Sequence, residues 1–577
     1  MQNIKYKLPD KAVRLVDLMY VMLRQLSVWN VLCLLFAAAC VTVIGMAVPY
    51  ATNVLFKEVI PSGQNNMLLP IGMMLVGAAI AAAAFEVIKS LLLIKLRNRM
   101  SIALQSALME RVLKLPARFF RDFSAGSLGE RLMQMCAIMQ MFAFKTMSAM
   151  LALIFCMLYF LQVNSYTPQL VVVCVVAFFV QIGVMALYLH YASKEQNRIR
   201  TADSELSGLL FNMLGGMHKI KTSNAEQRIY DLWAKQYHEA LTERPDRNRM
   251  LVAYPAINAL IAMVTTVLTY AVAMRYNVDV AAYAAYLAAY GMVTMAIGML
   301  SGMLPELTAL KPAFDLCKPM LTATPEMHDD REHVERLTGE IDVHDMSFRY
   351  HEKAPYVFKN LNLHIKSGEY VAVVGASGCG KSTLLRLLLG FETPENGTVA
   401  YDGKQLEALN MQSLRKRIGV CLQNGSIFQG SIRENIIVTK PDATDDEVME
   451  AIRLACFDDD LAKMPMGLHT IVGEMGGGLS GGQCQRLLLA RMLVAIPDVI
   501  VLDEATSALD NTTQRRVTEN LNNLNCTRIV VAHRLSTIRH CDRIIVLDNG
   551  GVAEEGTYDE LMAKKTRFYS LVKKQVV

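Results

Sequence analysis

Paired cysteines are missing from this sequence. Twelve cysteines are scattered over 577 residues, and no two of them have a CxxC or zinc-site spacing. This pattern excludes zinc-ribbon proteins and redox proteins of the CxxC type. Unpaired cysteines in the second half of the chain, such as Cys379, Cys421, Cys484, Cys526 and Cys541, predict that this half lies in a reducing cytosol.

A nucleic-acid surface is also missing, because the net charge is only +5 and no basic patch is interleaved with aromatic residues. The first 28 residues are mixed in character and carry Lys5, Lys7 and Lys11, so we expect no cleavable signal there. What the chain does contain is apolar sequence, with 53% hydrophobic residues and a mean hydropathy of +0.27. These residues are concentrated before about Leu304, which predicts a membrane half followed by a soluble half.

Six apolar runs occupy the first half, most of them near the ~20 residues that a helix needs to cross a bilayer. They are Trp29–Tyr50, Met67–Ile88, Met147–Gln162, Gln169–His190, Leu251–Met274 and Ala282–Leu304. Short connections with almost no Lys or Arg alternate with two long, basic ones. The positive-inside rule therefore places both termini and both long connections in the cytoplasm.

The two long connections keep helical periodicity, which predicts transmembrane helices that continue far into the cytosol. Each is interrupted once, around Arg121–Ser127 and at Gly215–Gly216. We expect a short transverse helix at each break to contact a neighbouring domain. Glu86 and Lys89, near the inner end of the second run, are either an intramembrane functional pair or the place where the span leaves the bilayer.

The main motif of the second half is YVAVVGASGCGKST. An apolar β-branched run predicts a buried strand, glycines follow, and an amphipathic helix begins directly after them. Backbone N–H groups in such a loop converge on phosphate oxygens, and the helix dipole favours the anion. The spacing predicts a P-loop for ATP, with Lys381 on the β/γ-phosphates and Ser382 on Mg²⁺. The predicted ATP-binding residues of this loop are Gly375, Ser377, Gly378, Cys379, Gly380, Lys381, Ser382 and Thr383.

Two acidic residues end another apolar strand, VIVLDE. We predict that Asp503 holds Mg²⁺ and that Glu504 polarises the water that attacks the γ-phosphate. His533 ends the strand of RIVVAHRLST and is placed to reach the γ-phosphate. Gln423 ends IGVCLQ and is placed to sense Mg²⁺ and the attacking water, whereas Tyr350 in SFRY is placed to stack on adenine.

A second glycine-rich segment, LSGGQ, comprises Leu479, Ser480, Gly481, Gly482 and Gln483. It lies at a predicted helix N-terminus, which is again an anion-binding geometry. One ATP does not need two phosphate cradles from one subunit. The simplest arrangement is a dimer in which this second cradle closes on the nucleotide of the partner chain.

In this order, GASGCGKST, Gln423, LSGGQ, VIVLDE, SALD and His533 resemble the ATP-binding cassette (ABC) transporters over 340–577. The six apolar runs resemble the type I exporter fold. The resemblance implies a D-loop at Asp510, a first coupling-helix region in Leu115–Leu132 and an X-loop in Thr470–Gly476. It also implies that coupling passes through Phe123–Leu128 and Gly216–Glu226.

The predicted fold is therefore an all-α six-helix transmembrane domain followed by an α/β P-loop nucleotide-binding domain. We expect an N-terminal cytoplasmic segment at 1–28, the transmembrane domain at 29–304, a linker at 305–339 and the ATP-binding domain at 340–577. One set of six spans with one cassette is a half-transporter, so a second chain is implied, in a homodimer or a heterodimer. The expected location is a bacterial cytoplasmic membrane.

A narrower resemblance concerns the cargo. VCLQNGSIFQGSIRENI, MPMGLHTIVGEMGGGLSGGQ and AHRLSTIRHCDRI are similar to exporters of the nitrile-hydratase-leader microcin bacteriocin systems. This similarity implies export of a ribosomally made peptide. Because no cysteine-protease domain precedes the first span, we expect a separate or partner-borne leader protease. Asn424 fits this subgroup, whereas Cys484 replaces the Arg that usually follows LSGGQ. Two alternatives stay open: an exporter of lipids or other amphipathic compounds, and a membrane ATPase that does not transport.

Overall fold

A computed structural model describes residues 8–9, 11–63, 65–121, 123, 125–242, 249–326, 331–422, 425–473, 476–532 and 535–576. The chain forms two compact units. The first consists of Met1–Leu115 and Phe119–Thr324, and the second contains Pro325–Val577.

The first half of the chain is helical. Its α-helices are α1 Leu15–Leu23, α2 Val28–Gly45, α3 Ala47–Val54, α4 Ile60–Ser62, α5 Leu68–Leu113, α6 Ala125–Tyr166, α7 Pro168–Gly215, α8 Met217–Thr222, α9 Glu226–Thr242, α10 Arg249–Arg275, α11 Val280–Ser301 and α12 Leu304–Thr322. A π-helix at Leu55–Val59 and 3₁₀ turns at Asn65–Met67 and Ala117–Arg121 connect some of them.

Within the described residues, six helical stretches are long and apolar enough to cross a membrane, which confirms the six predicted spans. They are Val28–Ser62, Leu68–Leu113, Leu128–Tyr166, Pro168–Ala192, Ala253–Arg275 and Val280–Thr322. At 1.5 Å per residue, the 46 residues of α5 extend about 70 Å, more than twice the ~30 Å of a hydrocarbon core. The helical periodicity of the long connections therefore does reflect continuous helices.

The expected breaks are present. α5 ends at Leu113, and α6 begins only at Ala125, after the 3₁₀ turn. α7 ends at Gly215, and Gly216 separates it from α8. The first part of the predicted linker at 305–339 is helical, because α12 covers Leu304–Thr322. One face of α12 is buried, with Leu310, Ala313 and Cys317 in the same apolar cluster as α5 and α6 residues.

Arg111 fixes the chain segments at one end of the first unit. Its guanidinium is 3% exposed and donates hydrogen bonds to the carbonyl oxygens of Pro9 (2.5 Å), Lys11 (3.2 Å), Leu321 (3.2 Å) and Ala323 (2.8 Å). A buried guanidinium needs such partners, because burying its charge without them would be costly. The N-terminal segment and the end of α12 are thus both held against α5.

The second unit is α/β. Its strands are β1 Ile341–Phe348, β2 Phe358–Ile365, β3 Tyr370–Gly375, β4 Asn396–Tyr401, β5 Lys404–Gln405, β6 Ile418–Cys421, β7 Gly430–Ser431, β8 Ile471–Val472, β9 Val499–Asp503, β10 Thr527–Val531, β11 Arg543–Asp548 and β12 Gly551–Gly556. Its α-helices are α13 Lys381–Leu388, α14 Met411–Arg417, α15 Ile432–Ile436, α16 Asp445–Leu454, α17 Asp458–Leu461, α18 Gly481–Leu493, α19 Asn511–Asn522, α20 Leu535–Ile538, α21 Tyr558–Lys564 and α22 Arg567–Val576. Two 3₁₀ turns cover Leu406–Ala408 and Gly467–His469.

The large sheet has the strand order β12-β11-β3-β10-β9-β6, and only the edge strand β12 runs antiparallel to its neighbour. Parallel strands covered on both faces carry nearly continuous apolar sequence. β9 follows this rule, since all five of its residues are buried. A separate antiparallel sheet has the order β2-β1-β4-β5. This arrangement confirms the predicted fold class.

Candidate nucleotide-binding site

The P-loop lies between β3 and α13, as the sequence predicts. Gly380 precedes the helix with a left-handed φ of 103°, and a Cβ atom there would lie 2.8 Å from the Phe358 ring and the Val357 side chain. A Cβ atom on Gly375 would lie 2.5 Å from the carbonyl oxygen of Leu547. Both positions therefore need glycine, which leaves the loop backbone free to approach a phosphate group.

Lys381 opens α13 and is only 7% exposed. Its Nζ donates hydrogen bonds to the carbonyl oxygens of Gly375 (2.9 Å) and Ala376 (3.1 Å). The ammonium group is thus held against the loop itself, on the chain segment where the phosphates are predicted to lie. Ser382 is exposed beside it, so its hydroxyl is accessible to a ligand.

Tyr350 contacts the P-loop helix through its hydroxyl group. Its hydroxyl and the hydroxyl of the buried Thr383 are 2.9 Å apart, and its ring packs edge-on against Phe348 at 5.0 Å. The sequence predicted only adenine stacking for Tyr350. The structure adds a direct hydrogen bond between Tyr350 and the P-loop helix.

Asp503 and Glu504 lie at the end of a parallel strand whose carboxyl end is on the same side of the sheet as the P-loop. Val531 of β10 pairs with Val373 of β3 on one side and with Asp503 of β9 on the other. In open α/β sheets, ligands bind outside the carboxyl ends of the strands. Asp503 is 6% exposed at this edge, and Glu504 follows it directly.

Glu504 has a left-handed backbone, with φ of 51°. Its N–H donates to the carbonyl oxygen of Val531 at 3.2 Å, which holds the turn against β10. Residues other than glycine seldom adopt this backbone conformation, which costs of order 1 kcal/mol or more. Residues strained in this way are found most often at functional sites. No feature of the sequence VLDEAT indicates this turn.

Two predicted residues lie outside the described part of the chain. β6 ends at Cys421 and β10 ends at Val531, both at the edge that carries Asp503. Gln423 and His533 follow these strands but are not among the described residues. Their predicted roles remain predictions.

The LSGGQ segment precedes α18, as expected. Ser480 caps this helix: its hydroxyl accepts a hydrogen bond from the Gln483 N–H (3.3 Å), and Gln483 Oε1 accepts one from the Ser480 N–H (2.8 Å). This is a capping box, which satisfies two backbone donors within the helix itself. The exposed glycine Gly481 and the half-buried Gly482 form the first helical turn.

Asp460 was not indicated by any sequence pattern, yet it holds the start of α18. Its Oδ1 accepts a hydrogen bond from Gln483 Nε2 at 3.0 Å, and its Oδ2 pairs with Arg486 at 2.6 Å. Both charged side chains are 13% exposed, so the pair is mostly shielded from solvent. Asp460 and Gln483 are 23 positions apart, which explains why local spacing does not reveal the contact.

Two further predicted positions have local structural partners. Asp510 caps α19 through a hydrogen bond from the Thr513 N–H at 3.0 Å, and this bond lowers the pKa of its carboxyl group.

Cys484 is half-buried with its Sγ 4.0 Å from the Gly476 carbonyl oxygen, and burial raises the pKa of its thiol. Gly476 could not carry a Cβ atom, which would lie 2.7 Å from that sulfur.

The donor atoms at the carboxyl end of the sheet are of the chemical type that a magnesium ion binds. Mg²⁺ prefers oxygen ligands, especially carboxylates, hydroxyls and phosphate oxygens. Asp503 and Ser382 offer a carboxylate and an exposed hydroxyl next to the phosphate loop. Together with the six apolar helices long enough to cross a membrane, these groups are those expected of a membrane protein that binds a nucleoside triphosphate.

Family comparisons agree with this class. The family model for the ABC transporter transmembrane region matches residues 31–297, and the model for the ABC transporter matches residues 358–507. Together they match well over half of the chain. This chain belongs to the ABC transporters, with the transmembrane and ATP-binding domains fused in one polypeptide.

Relatives and a solved structure have the same organisation. The leukotoxin translocation ATP-binding protein LktB of Mannheimia glucosida is 29% identical over 490 residues, covering 82% of this chain and 68% of that protein. The alpha-hemolysin translocation ATP-binding protein HlyB of Escherichia coli O157:H7 is 29% identical over 483 residues, with the same coverage. A bacterial Atm1-family ABC exporter with ATP bound superposes with a TM-score of 0.82 at 22% identity, covering 95% of this chain and 98% of that one. The chain is thus a multi-pass membrane protein with an exporter fold that couples ATP hydrolysis to transport.

Proposed function

We propose that this chain is a half-transporter whose two copies, or one copy and a related chain, bind ATP between them. The observation that supports this is the presence of two anion-binding helix starts in one unit, at Lys381 and at Ser480. The first follows β3, which pairs with β10, and β10 pairs in turn with β9, the strand that ends in Asp503. A second chain supplies the nucleotide for the second helix start.

Each residue has a defined part in the proposed ATPase. Lys381 and the loop N–H groups bind the β/γ-phosphates, whereas Asp503 and Ser382 hold the magnesium ion that neutralises phosphate charge. Glu504 orients and polarises the attacking water. Gln423 and His533 assist at the magnesium ion and the γ-phosphate, and Asp510 belongs to the contact between the two chains.

The proposed cargo is a ribosomally made peptide, of the bacteriocin class. The subgroup motifs around Gln423 and LSGGQ support a peptide, and the similarity to two translocation proteins named for leukotoxin and alpha-hemolysin supports a polypeptide more generally. If the peptide carries a leader, a separate protease removes it. We place the transporter in a bacterial cytoplasmic membrane, with the ATP-binding domain in the cytoplasm.

Glu504→Gln tests the ATPase assignment. The amide keeps the shape of the side chain but cannot act as a base, so steady-state ATP hydrolysis should fall at least about 100-fold while ATP binding is retained. The matched control is Glu519→Gln, which removes an exposed carboxylate paired with Arg515 and should leave turnover unchanged. Phosphate release and nucleotide binding by purified protein measure the two effects. Normal turnover in Glu504→Gln would refute the assignment.

The cargo class is tested separately in inverted membrane vesicles. A fluorescent, unstructured peptide of about 30 residues should accumulate with ATP in vesicles containing the wild-type chain and not in those containing Glu504→Gln. A fluorescent phospholipid serves as the competing probe. ATP-dependent movement of the lipid alone would favour the amphipathic-compound alternative, and movement of neither probe despite active hydrolysis would argue against the peptide proposal.

A further inference from the structure

Three potential metal ligands lie together on the antiparallel sheet, on different strands from those that carry the P-loop and the acidic pair. Asp342 of β1 is directly paired with His364 of β2, and Glu340 lies two residues before Asp342, on the same face. The intervening Ile341 is fully buried, so alternation directs the other side chains outwards. The donor atoms of Glu340, Asp342 and His364 all lie within 4.8 Å of one another.

The hydrogen bond to Asp342 determines which ring nitrogen of His364 can bind an ion. Nδ1 of His364 is 2.7 Å from Asp342 Oδ1. An ionised carboxylate only accepts hydrogen bonds, so Nδ1 is the donor in this contact and Nε2 is the ring nitrogen left to bind an ion. Metal-binding histidines commonly have this arrangement, in which a carboxylate holds the ring through its other nitrogen.

The gap between His364 and Glu340 is the second observation. Nε2 of His364 and Oε1 of Glu340 are 3.8 Å apart, beyond hydrogen-bond distance. Zinc–nitrogen and zinc–oxygen bonds are each about 2.0–2.2 Å long, so a single ion between the two atoms fits this separation.

The surrounding residues hold the ligands without opposing a cation. Asp402 Oδ1 accepts a hydrogen bond from the Glu340 N–H at 3.1 Å. Arg543 donates to the His364 carbonyl oxygen and is itself paired with Glu369 at 2.8 Å and with Glu555 at 3.2 Å. The guanidinium charge is therefore balanced locally.

We propose that this face binds a divalent transition-metal ion of the zinc class. Nε2 of His364 and the carboxylate of Glu340 are the direct ligands, Asp342 is a positioning residue that orients the ring, and water completes the coordination. An imidazole nitrogen with a carboxylate suits Zn²⁺, Ni²⁺ or Cu²⁺ better than Mg²⁺ or Ca²⁺. The site is thus chemically distinct from the oxygen-only donors of the nucleotide site and does not depend on the proposed cargo.

Calorimetric titration of the nucleotide-free, full-length protein in detergent with Zn²⁺ tests this proposal. The wild-type chain should bind one more equivalent of Zn²⁺ than His364→Gln, and Glu340→Gln should weaken that equivalent at least tenfold. Asp342→Asn keeps an acceptor for the Nδ1 proton and should bind more tightly than Asp342→Ala, which removes it. The matched control is His351→Gln, which removes another exposed histidine of the same unit and should match the wild-type chain.

Two results would overturn the site. One is an unchanged stoichiometry and affinity in both His364→Gln and Glu340→Gln. The other is an equal loss in His351→Gln, which would show adventitious binding to exposed histidines. Magnesium-dependent ATP hydrolysis, measured on the Glu340, Asp342 and His364 variants, verifies that the protein is folded, because these three residues lie outside the nucleotide site.

Discussion

Glycines lie at the start of a helix in both the P-loop and the LSGGQ segment, but the two helices differ in whether a side chain caps their first N–H groups. α13 begins after Gly380, which has no side chain to cap it. α18 begins after Ser480, and the Ser480–Gln483 capping box satisfies donors from within the chain. Gln483 is also held by Asp460.

The difference shows how far each phosphate cradle is formed within a single chain. At the P-loop, a buried lysine begins a helix whose N-cap residue provides no side-chain hydrogen bond, so the first helical N–H groups are left for an anion. At LSGGQ, the helix start is stabilised by its own side chains, so it is folded without a ligand. We therefore expect ATP affinity to depend mainly on the first cradle, and dimer-dependent turnover to depend on the second.

Lys381→Ala should produce the largest change in this comparison. The ammonium group supplies charge-assisted hydrogen bonds worth about 1.5–3 kcal/mol each, so ATP should bind about 10- to 100-fold more weakly. Lys359→Ala, which removes an exposed lysine of the same unit, is the control and should bind ATP normally. Fluorescent-nucleotide titration measures both. Equal affinities would mean that the P-loop is not the primary ATP cradle.

Ser480→Ala should have an intermediate effect that separates folding from function. Losing an N-cap hydroxyl costs about 0.5–2 kcal/mol, so the melting temperature should decrease modestly. Thr444→Ala removes the same kind of capping box from α16 and should cause a similar decrease.

The two cap variants should differ in turnover. ATP hydrolysis should decrease only in Ser480→Ala, while ATP affinity stays near the wild-type value in both. If Thr444→Ala impaired hydrolysis equally, the Ser480 effect would be one of stability alone, and the proposed second cradle would lose its support.

Cys484 should show the smallest effect. Burial raises the pKa of its thiol, so at a given pH it holds less of the reactive thiolate than a free cysteine does. Alkylation by iodoacetamide at pH 7.5 should therefore be slower than for a cysteine-containing peptide and should accelerate as the pH rises above 9. Mass spectrometry of the peptide that contains Cys484 measures the rate. Alkylation faster than that of the free peptide would contradict the buried position beside Gly476.

Cys484→Ala is the companion variant. The hydrogen bond of the sulfur to the Gly476 carbonyl oxygen is long, at 4.0 Å, so its removal should change ATP hydrolysis less than about twofold. A larger loss would show that the position after LSGGQ contributes directly to the second cradle, despite the absence of the usual arginine.

The six spans, the P-loop and the strand that ends in Asp503 were all predictable from the sequence. Each of these is a local pattern: an apolar run of sufficient length, a fixed glycine spacing, or a β-branched run followed by an acid. A local pattern can be recognised without knowing which residues pack against it, because it reflects what a helix, a loop or a strand requires of its own residues. The same is true of the helix start at LSGGQ.

Which distant residues meet depends on the three-dimensional packing of the chain. The order β3-β10-β9 brings Glu504 to the P-loop edge and sets its left-handed turn against Val531. The Asp460–Gln483 contact and the pairing of Asp342 with His364 likewise join residues more than 20 positions apart. Such contacts depend on strand order and register, which arise from burying apolar faces together and leave no spacing in the sequence from which they could be predicted.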